Sequence, residues 1–384
     1  MKVAVGVSGG VDSALAAALL KEQGYEVTGV FLECWPADAE AMAGKNEPCQ
    51  GDKDRQDALG VALKLKIPFK VLDFKKEYKQ KVLDWFYREY KAGRTPNPDI
   101  VCNQEIKFGM FLKWALKNKF DFLATGHYCQ LISTRHTKFS ACSQLSGFPD
   151  ETLRAQKFVS PASTHLLRSA DEQKDQTYFL AMLKEKQLRR VLFPIGHLTK
   201  KQVRLEAKKR GLKVWNKKDS SGICFIGHDL NFREFLKRKI KEHEGEAVDK
   251  NGKVVGKHQG FEFYTIGQSY ARPLFVIGKD IERNRLIVGK KPDLAKKEFK
   301  VEGWGGIHPL KIVKSLKSKG YSPLGLLVRI RHQGRLIGCK ITGKKVFLEK
   351  AEYGIAPGQV AAIYRETVRT EPTVLECLGG GVIK

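Results

Sequence analysis

The chain opens Met1-Lys2-Val3-Ala4-Val5-Gly6-Val7-Ser8-Gly9-Gly10-Val11-Asp12-Ser13, and the fold turns on this stretch. Residues 1–7 form an apolar run rich in Val and Ala, the pattern of a strand buried on both faces of a parallel sheet. Residues 14–20 are almost wholly apolar and made of good helix formers, so strand and helix meet in a tight glycine-rich turn. Two adjacent glycines let successive backbone N–H groups converge on an anion. Ser8, Ser13 and the N-terminal end of the helix add donors and a favourable dipole. A phosphate or pyrophosphate is the ligand this turn suits.

What the turn lacks narrows its class. No Gly-Lys-Ser/Thr is present, which removes a Walker-type loop, and residues 6–11 are not G-x-G-x-x-G, which removes the dinucleotide fingerprint. Ser-Gly-Gly-x-Asp-Ser resembles instead the pyrophosphate loop of ATP-pyrophosphatases, which cleave ATP between the α and β phosphates. The plainer alternative is a strand–helix turn capped by Asp12 or Ser13 with no ligand. Its place directly after the first strand favours the phosphate.

Working outward, strand and helix alternate. Residues 27–32, 69–74 and 122–125 read as strands, and 52–65, 77–92 and 105–118 as helices. This implies a parallel sheet whose ligands lie at the carboxyl ends of the strands, where the loop, the region after Leu32 and Gly126-His127-Tyr128 all fall. Residues 133–169 lose the pattern and read as an irregular connection or hairpin. Helices resume over 175–183 and 199–210. From about residue 261 short strands are expected at 261–265, 286–288, 328–331, 336–341, 345–348, 359–363 and 374–378, as in an all-β module or small barrel. The domains expected are 1–228 (catalytic, α/β), 229–296 (small, mixed) and 297–384 (β-barrel).

With 69 Lys and Arg against 42 Asp and Glu, the formal net charge of +27 suits a polyanionic partner. Residues 184–218 hold the densest basic run, thirteen Lys or Arg against two Glu, read as phosphate-backbone contact rather than a merely solvated face. No apolar run approaches the roughly 20 residues that span a bilayer, and Met1 leads straight into a strand. A cytoplasmic protein without a membrane partner is expected. The eight cysteines form no C-x-x-C pair, which argues against a structural zinc site or a secreted disulfide framework. No metal ligand set is read from the sequence.

Two cysteines stand in unusual settings. Cys102 follows Thr95-Pro96-Asn97-Pro98-Asp99, a loop stiffened by two prolines, and precedes the helix expected at Glu105, where a helix N-terminus would favour thiolate. Asp99 is placed to carry a proton. Cys224 lies in Lys217-Lys218-Asp219-Ser220-Ser221-Gly222-Ile223-Cys224, where two lysines would favour a thiolate or a bound persulfide. Cys34, Cys129, Cys142, Cys339 and Cys377 read as small buried hydrophobes.

These pieces together resemble the tRNA-specific 2-thiouridylases, which thiolate the wobble uridine. The likeness runs through Ser8–Ser13, residues 90–99, Cys102-Asn103, Ile106-Lys107-Phe108, Ala124-Thr125-Gly126-His127-Tyr128, Lys174-Asp175-Gln176, Phe193-Pro194-Ile195-Gly196, residues 222–227, residues 264–268 and Pro357-Gly358-Gln359. It implies an adenine-nucleotide α-hydrolase-like α/β domain, a small central domain and a C-terminal tRNA-contacting β-barrel. ATP would bind at Gly6, Val7, Ser8, Gly9, Gly10, Val11, Asp12 and Ser13, with Leu32 and Gly126; Mg2+ is inferred from ATP alone. Asn97, Pro98 and Asp99 would meet the target base, and Lys174, Asp175 and Gln176 the tRNA. Cys224 would carry the persulfide, with Cys102 as partner thiol and Asp99 as acid or base. Implied partners are the tRNAs for Lys, Glu and Gln, and a sulfur donor, either a cysteine desulfurase or a relay protein. A monomer is expected.

Two departures stand out. Ser269-Tyr270-Ala271-Arg272-Pro273 replaces the family's usual loop after Gly267-Gln268, and Arg331-His332 stands where the family has an Arg-Tyr pair for tRNA. Another ATP-pyrophosphatase, a synthetase or ligase, would leave Cys102 and Cys224 without a purpose. A non-catalytic RNA-binding protein would leave Asp99 and Cys102 unexplained.

Overall fold

Val3, Val5 and Val7 face one hydrophobic core and Ala4 the opposite one, the alternation that makes β1 (Lys2–Gly6) the centre of a two-faced sheet. The computed structural model describes residues 1–34, 50–133, 164–219, 231–315, 325–367 and 374–384. β1 pairs in parallel with β2 (Glu26–Glu33) and β4 (Phe122–Ala124), and β2 with β3 (Phe69–Asp73). The hairpin of β5 (Cys129–Ser133) and β6 (Thr164–Arg168) leaves this sheet, and the two-residue β7 (Val191–Leu192) completes it. The order is β3-β2-β1-β4-β7, so the direction in which successive strands are added reverses between β1 and β4 while all five stay parallel. At such a switch point loops diverge to opposite faces of the sheet, which is where open α/β sheets place a ligand crevice.

The Val11–Glu22 helix covers one face, with every residue from Ala14 to Leu20 buried. Each large aliphatic side chain so buried contributes about 1.5–3 kcal/mol. Val203 and Ala207 of the Lys200–Lys209 helix pack into the same core. On the other face Ile100, Phe108, Phe111 and Leu112 pack with Val30 and Leu123, and this core continues into Val360, Ala362 and Tyr364 near the C-terminus.

A second sheet, β10-β11-β12-β8-β9, is built from β8 (Gly245–Val248), β9 (Val254–His258), β10 (Ser269–Ala271), β11 (Leu274–Asp280) and β12 (Arg285–Gly289) around Ala247, Phe261, Val276, Leu286 and Val288. The strand expected at 261–265 is instead a short 3-10 turn, Phe261–Phe263, which turns both Phe side chains inward. The third sheet runs β13 (Lys296–Gly305), β16 (Lys345–Glu352), β15 (Ile337–Thr342), β14 (Leu326–Arg329), β17 (Val360–Thr367) and β18 (Val374–Ile383), and pairing of β13 with β18 closes these six into a barrel. The β5–β6 hairpin then adds to β18, Leu166 opposite Cys377. The N-terminal part of the chain thus lends two strands to the barrel's sheet.

Candidate active site

The loop after β1 is fitted to its surroundings at backbone level. Gly9 has φ +76, and a Cβ there would run into the carbonyl of Asp54, so no other residue fits without strain. Ser13 Oγ accepts from the Ser8 N–H at 3.1 Å and donates to the Gly10 carbonyl at 3.1 Å, which ties the turn to the first turn of the helix. A Cβ on Gly126 would lie 2.6 Å from Asp12 C and Ser13 N. The loop after β4 therefore rests directly on the helix N-terminus at the sheet's switch point.

Charged side chains surround this junction. The Tyr128 hydroxyl donates to Asp12 Oδ1 at 2.7 Å, and Lys200 Nζ lies 2.8 Å from both Asp12 carboxylate oxygens. The same ammonium is 2.9 Å from Asp219 Oδ1, and Lys174 and Arg204 each reach Asp219 at 2.7 Å. Burial alone would raise the Asp219 carboxyl, but hydrogen bonds from Lys174 and Lys200 outweigh it and hold it at about 2. Lys217 clasps the loop from the other side, donating to the Gly9 carbonyl at 3.1 Å and pairing with Asp54 and Asp57. Several bases of the 184–218 run are thus engaged inside the protein. Nothing in local sequence distinguishes Lys200 and Arg204 from their basic neighbours, and Lys217, read as a charge for Cys224, pairs with Asp54 and Asp57.

The helix carrying Cys102 begins earlier than expected. Asn97 caps it, its Oδ1 accepting from the Ile100 N–H at 3.3 Å, and Pro98 takes the first helical position. Helix continues through Cys102–Phe111 to Leu112–Lys117, so Cys102 sits a turn inside rather than at the N-terminus, and the dipole argument for its thiolate does not hold. Cys102 is buried among Tyr78, Phe86, Tyr90 and Ile106, with Leu32 and Cys34 from the end of β2 packed on the same cluster. This places Leu32 and Cys102 together. Burial pushes the Asp99 carboxyl up, partly offset by Lys107. Burial, with Lys107 adding to it, holds buried His127 well below its usual range, so its ring is neutral and shares a proton with Thr125 Oγ1 across 2.8 Å. Asn103 donates to the Phe179 carbonyl at 3.3 Å, while its buried Oδ1 has no partner among the described residues.

Lys174, Asp175 and Gln176 have different surroundings. The Asp175 side chain is fully buried, taking Arg329 at 2.9 Å, Arg168 at 3.2 Å and the Thr177 hydroxyl at 2.9 Å. Gln176 exchanges hydrogen bonds with the Tyr128 backbone, its Oε1 accepting at 2.9 Å and its N–H donating at 2.9 Å. Lys174, held by Asp219, keeps 41% of its side chain exposed. Arg331 is half-exposed and pairs with Glu352 at 3.1 Å, whereas the His332 ring packs on Phe179 with centroids 4.3 Å apart. Cys142 and Cys224 lie outside the described residues. Burial raises the Cys129 and Cys377 thiols and pushes Cys339 up to about 12, as suits small core residues.

Among the described residues one cluster has metal-ligand donors, His165, His308 and Glu376. Its groups are spent on one another: His165 Nδ1 and His308 Nε2 lie 2.7 and 3.0 Å from Glu376 Oε1, and Arg365 donates to Oε2 at 2.7 Å. That is a hydrogen-bonded knot between hairpin and barrel.

Three family descriptions match in sequence along the chain: the tRNA methyl transferase HUP domain over residues 1–228, the tRNA methyl transferase PRC-barrel domain over 233–290 and the aminomethyltransferase beta-barrel domain over 307–383. The chain is 37% identical to the tRNA-specific 2-thiouridylase MnmA of Streptococcus thermophilus, over 100% of this chain and 95% of the relative. The chain belongs to the tRNA-specific 2-thiouridylase family. Its likeness to the Halalkalibacterium halodurans 2-thiouridylase is 38% over 100% of this chain and 94% of that one, and to the Levilactobacillus brevis 2-thiouridylase 45% over 75% and 72%. The three sheets described above are this family's HUP, PRC-barrel and β-barrel units. No helix among the described residues is long and apolar enough to cross a membrane.

Proposed function

We propose that this 2-thiouridylase-family chain replaces the C2 oxygen of the wobble uridine in tRNA with sulfur, using ATP. What supports the reading is a pyrophosphate-type loop at the carboxyl end of β1 together with Leu32, at the carboxyl end of the neighbouring β2, packed on the apolar cluster that buries Cys102. An oxygen on C2 is a poor leaving group. Uridine O2 attacks the α-phosphorus of ATP, pyrophosphate leaves from the Gly6–Ser13 loop, and the base is adenylated. Sulfur then bonds to C2 and AMP departs with the oxygen.

The sulfur arrives as a persulfide on Cys224. Cys102 attacks the inner sulfur, forming a Cys102–Cys224 disulfide, and the outer sulfur goes to C2 as the new thiocarbonyl. An external thiol reductant returns the two electrons, and a sulfane-sulfur donor recharges Cys224. Asp99, with its carboxyl raised by burial, moves a proton at the reacting base. Magnesium accompanying ATP would be held by the nucleotide's own phosphates, since both Asp12 oxygens are taken by Lys200 and one also by the Tyr128 hydroxyl. The exposed Lys and Arg side chains, with Lys174 and Arg331 among them, meet the tRNA backbone.

Mass spectrometry of tRNA nucleosides, from a strain lacking its own enzyme and expressing this chain, tests the reading. 2-Thiouridine should appear with the wild type and vanish with Cys102→Ser or Cys224→Ser, while ATP and tRNA binding persist. Thiolation unchanged in both variants overturns it.

A further inference from the structure

The knot that joins hairpin to barrel draws on three separate segments. His165 stands in β6 opposite Ile132 of β5, Glu376 stands in β18, and His308 follows β13. Main-chain bonds fix each of them. β6 pairs with β18 through Leu167 opposite Glu376, the His308 N–H donates to the Leu378 carbonyl at 3.1 Å, and Trp304 Nε1 donates to the His308 carbonyl at 2.9 Å. His165 Nδ1 and His308 Nε2 both turn to one atom, Glu376 Oε1, at 2.7 and 3.0 Å. Arg365 holds the other oxygen at 2.7 Å, and the Glu376 side chain is wholly buried.

We propose that His165, His308 and Glu376 are the protein ligands of one divalent transition-metal ion, with zinc the best fit to the donors. Two imidazole nitrogens and one carboxylate oxygen are an established zinc set, and they leave a fourth position for water. With each ring neutral, its proton moves to the other nitrogen, and the nitrogen that donated to Glu376 offers its lone pair to the ion. No proton is lost in the exchange. The hydrogen bonds that spend these groups on one another are the contacts that three metal bonds replace.

The spacing suits the exchange. Ligand atoms about 2.0–2.1 Å from a tetrahedral zinc stand about 3.3 Å from one another. The two N···O separations fall short of that by about 0.6 and about 0.3 Å, and all three donor atoms lie within 4.8 Å of one another, so side-chain rotations complete the set. Arg365, by holding Oε2, points Oε1 at the two rings, as the outer partner of a ligating carboxylate does. Its side chain is 28% exposed, so solvent screens the charge it adds. Each imidazole side chain is 19% exposed, which admits the ion and its water. The ion staples the β5–β6 hairpin, which starts directly after Tyr128, onto the barrel.

Titration of the full chain with zinc and with cobalt(II) tests the site, in a Cys102→Ser/Cys224→Ser background so that those thiols take no metal. One equivalent should bind, and cobalt should show the visible bands of a four-coordinate nitrogen and oxygen site without thiolate charge transfer. His165→Asn and His308→Gln each keep an amide N–H donor for Glu376 close to the lost ring nitrogen but supply no imidazole. Each should weaken zinc by at least about tenfold, the loss that even an outer partner of a metal ligand causes, while the Tm of the metal-free chain stays close to its starting value. Should either variant not fold, X-ray absorption by the zinc-loaded chain with the cysteine substitutions alone should show two imidazoles and no sulfur. No bound zinc, unchanged affinity in both variants, or sulfur around the zinc would each overturn the site.

Discussion

Gln359, at the rim of the C-terminal barrel, donates from Nε2 to the carbonyl of Thr95 across 2.8 Å, two residues before Asn97 caps the Cys102 helix. The Thr95 N–H returns to the Pro357 carbonyl at 2.7 Å. The barrel therefore sets the entry of the loop that bears Asp99, and Pro357-Gly358-Gln359 acts at the site through backbone rather than through chemistry of its own.

Gln359→Ala should lower kcat for thiolation while leaving the KM for ATP near the wild-type value, because the Asp99–Cys102 segment shifts and the nucleotide loop does not. A misplacement of about 1 Å is enough for a loss on the order of 10²-fold. Steady-state kinetics with varied ATP check this, and an equal rise in KM for ATP would contradict it.

Gly126→Ala should act on the nucleotide loop. Its Cβ would fall on the backbone of Asp12 and Ser13, which have no flexible end to move aside. ATP binding should drop by at least about tenfold with tRNA affinity retained, the loss of at least one backbone contact to phosphate. Titration with each ligand separates the two.

Asp175→Asn removes the charge that balances Arg168 and Arg329, leaving two nearly buried guanidinium groups poorly compensated. The expected cost is about 3–5 kcal/mol, a fall in Tm on the order of 10 °C. Were Asp175 instead a tRNA contact, the variant would lose tRNA affinity at unchanged Tm; calorimetry and a binding assay decide.

Asp219 ties stability to acid pH. Its carboxyl is held at about 2, below its ordinary 3.8, so the charged form favours the folded chain. That contribution is present above about pH 4 and is lost as pH falls toward 2. Asp219→Asn should therefore be less stable than wild type at pH 5–7, and the gap should close on acidification in denaturant titrations at each pH.

Much of the architecture was legible. The apolar run of β1, the turn glycines and the alternation after them follow from local preferences, and those point to a parallel sheet with its ligand edge at Ser8–Ser13. The β5–β6 hairpin's addition to the barrel was not legible, because Leu166 and Cys377 are brought together by strand pairing over more than two hundred residues. The early start of the Cys102 helix was available in principle: Asn97-Pro98 is a cap followed by a proline at the first helical position.

Sequence alone determined the glycine-rich turn after β1, since tight backbone turns demand particular residues at adjacent positions. Tertiary structure alone decided that Lys200 and Asp219 belong to that loop, and that Asp175 serves the interior. Ion pairs leave no periodicity in a chain with 69 basic residues, and which lysine meets which carboxylate depends on how separate elements pack.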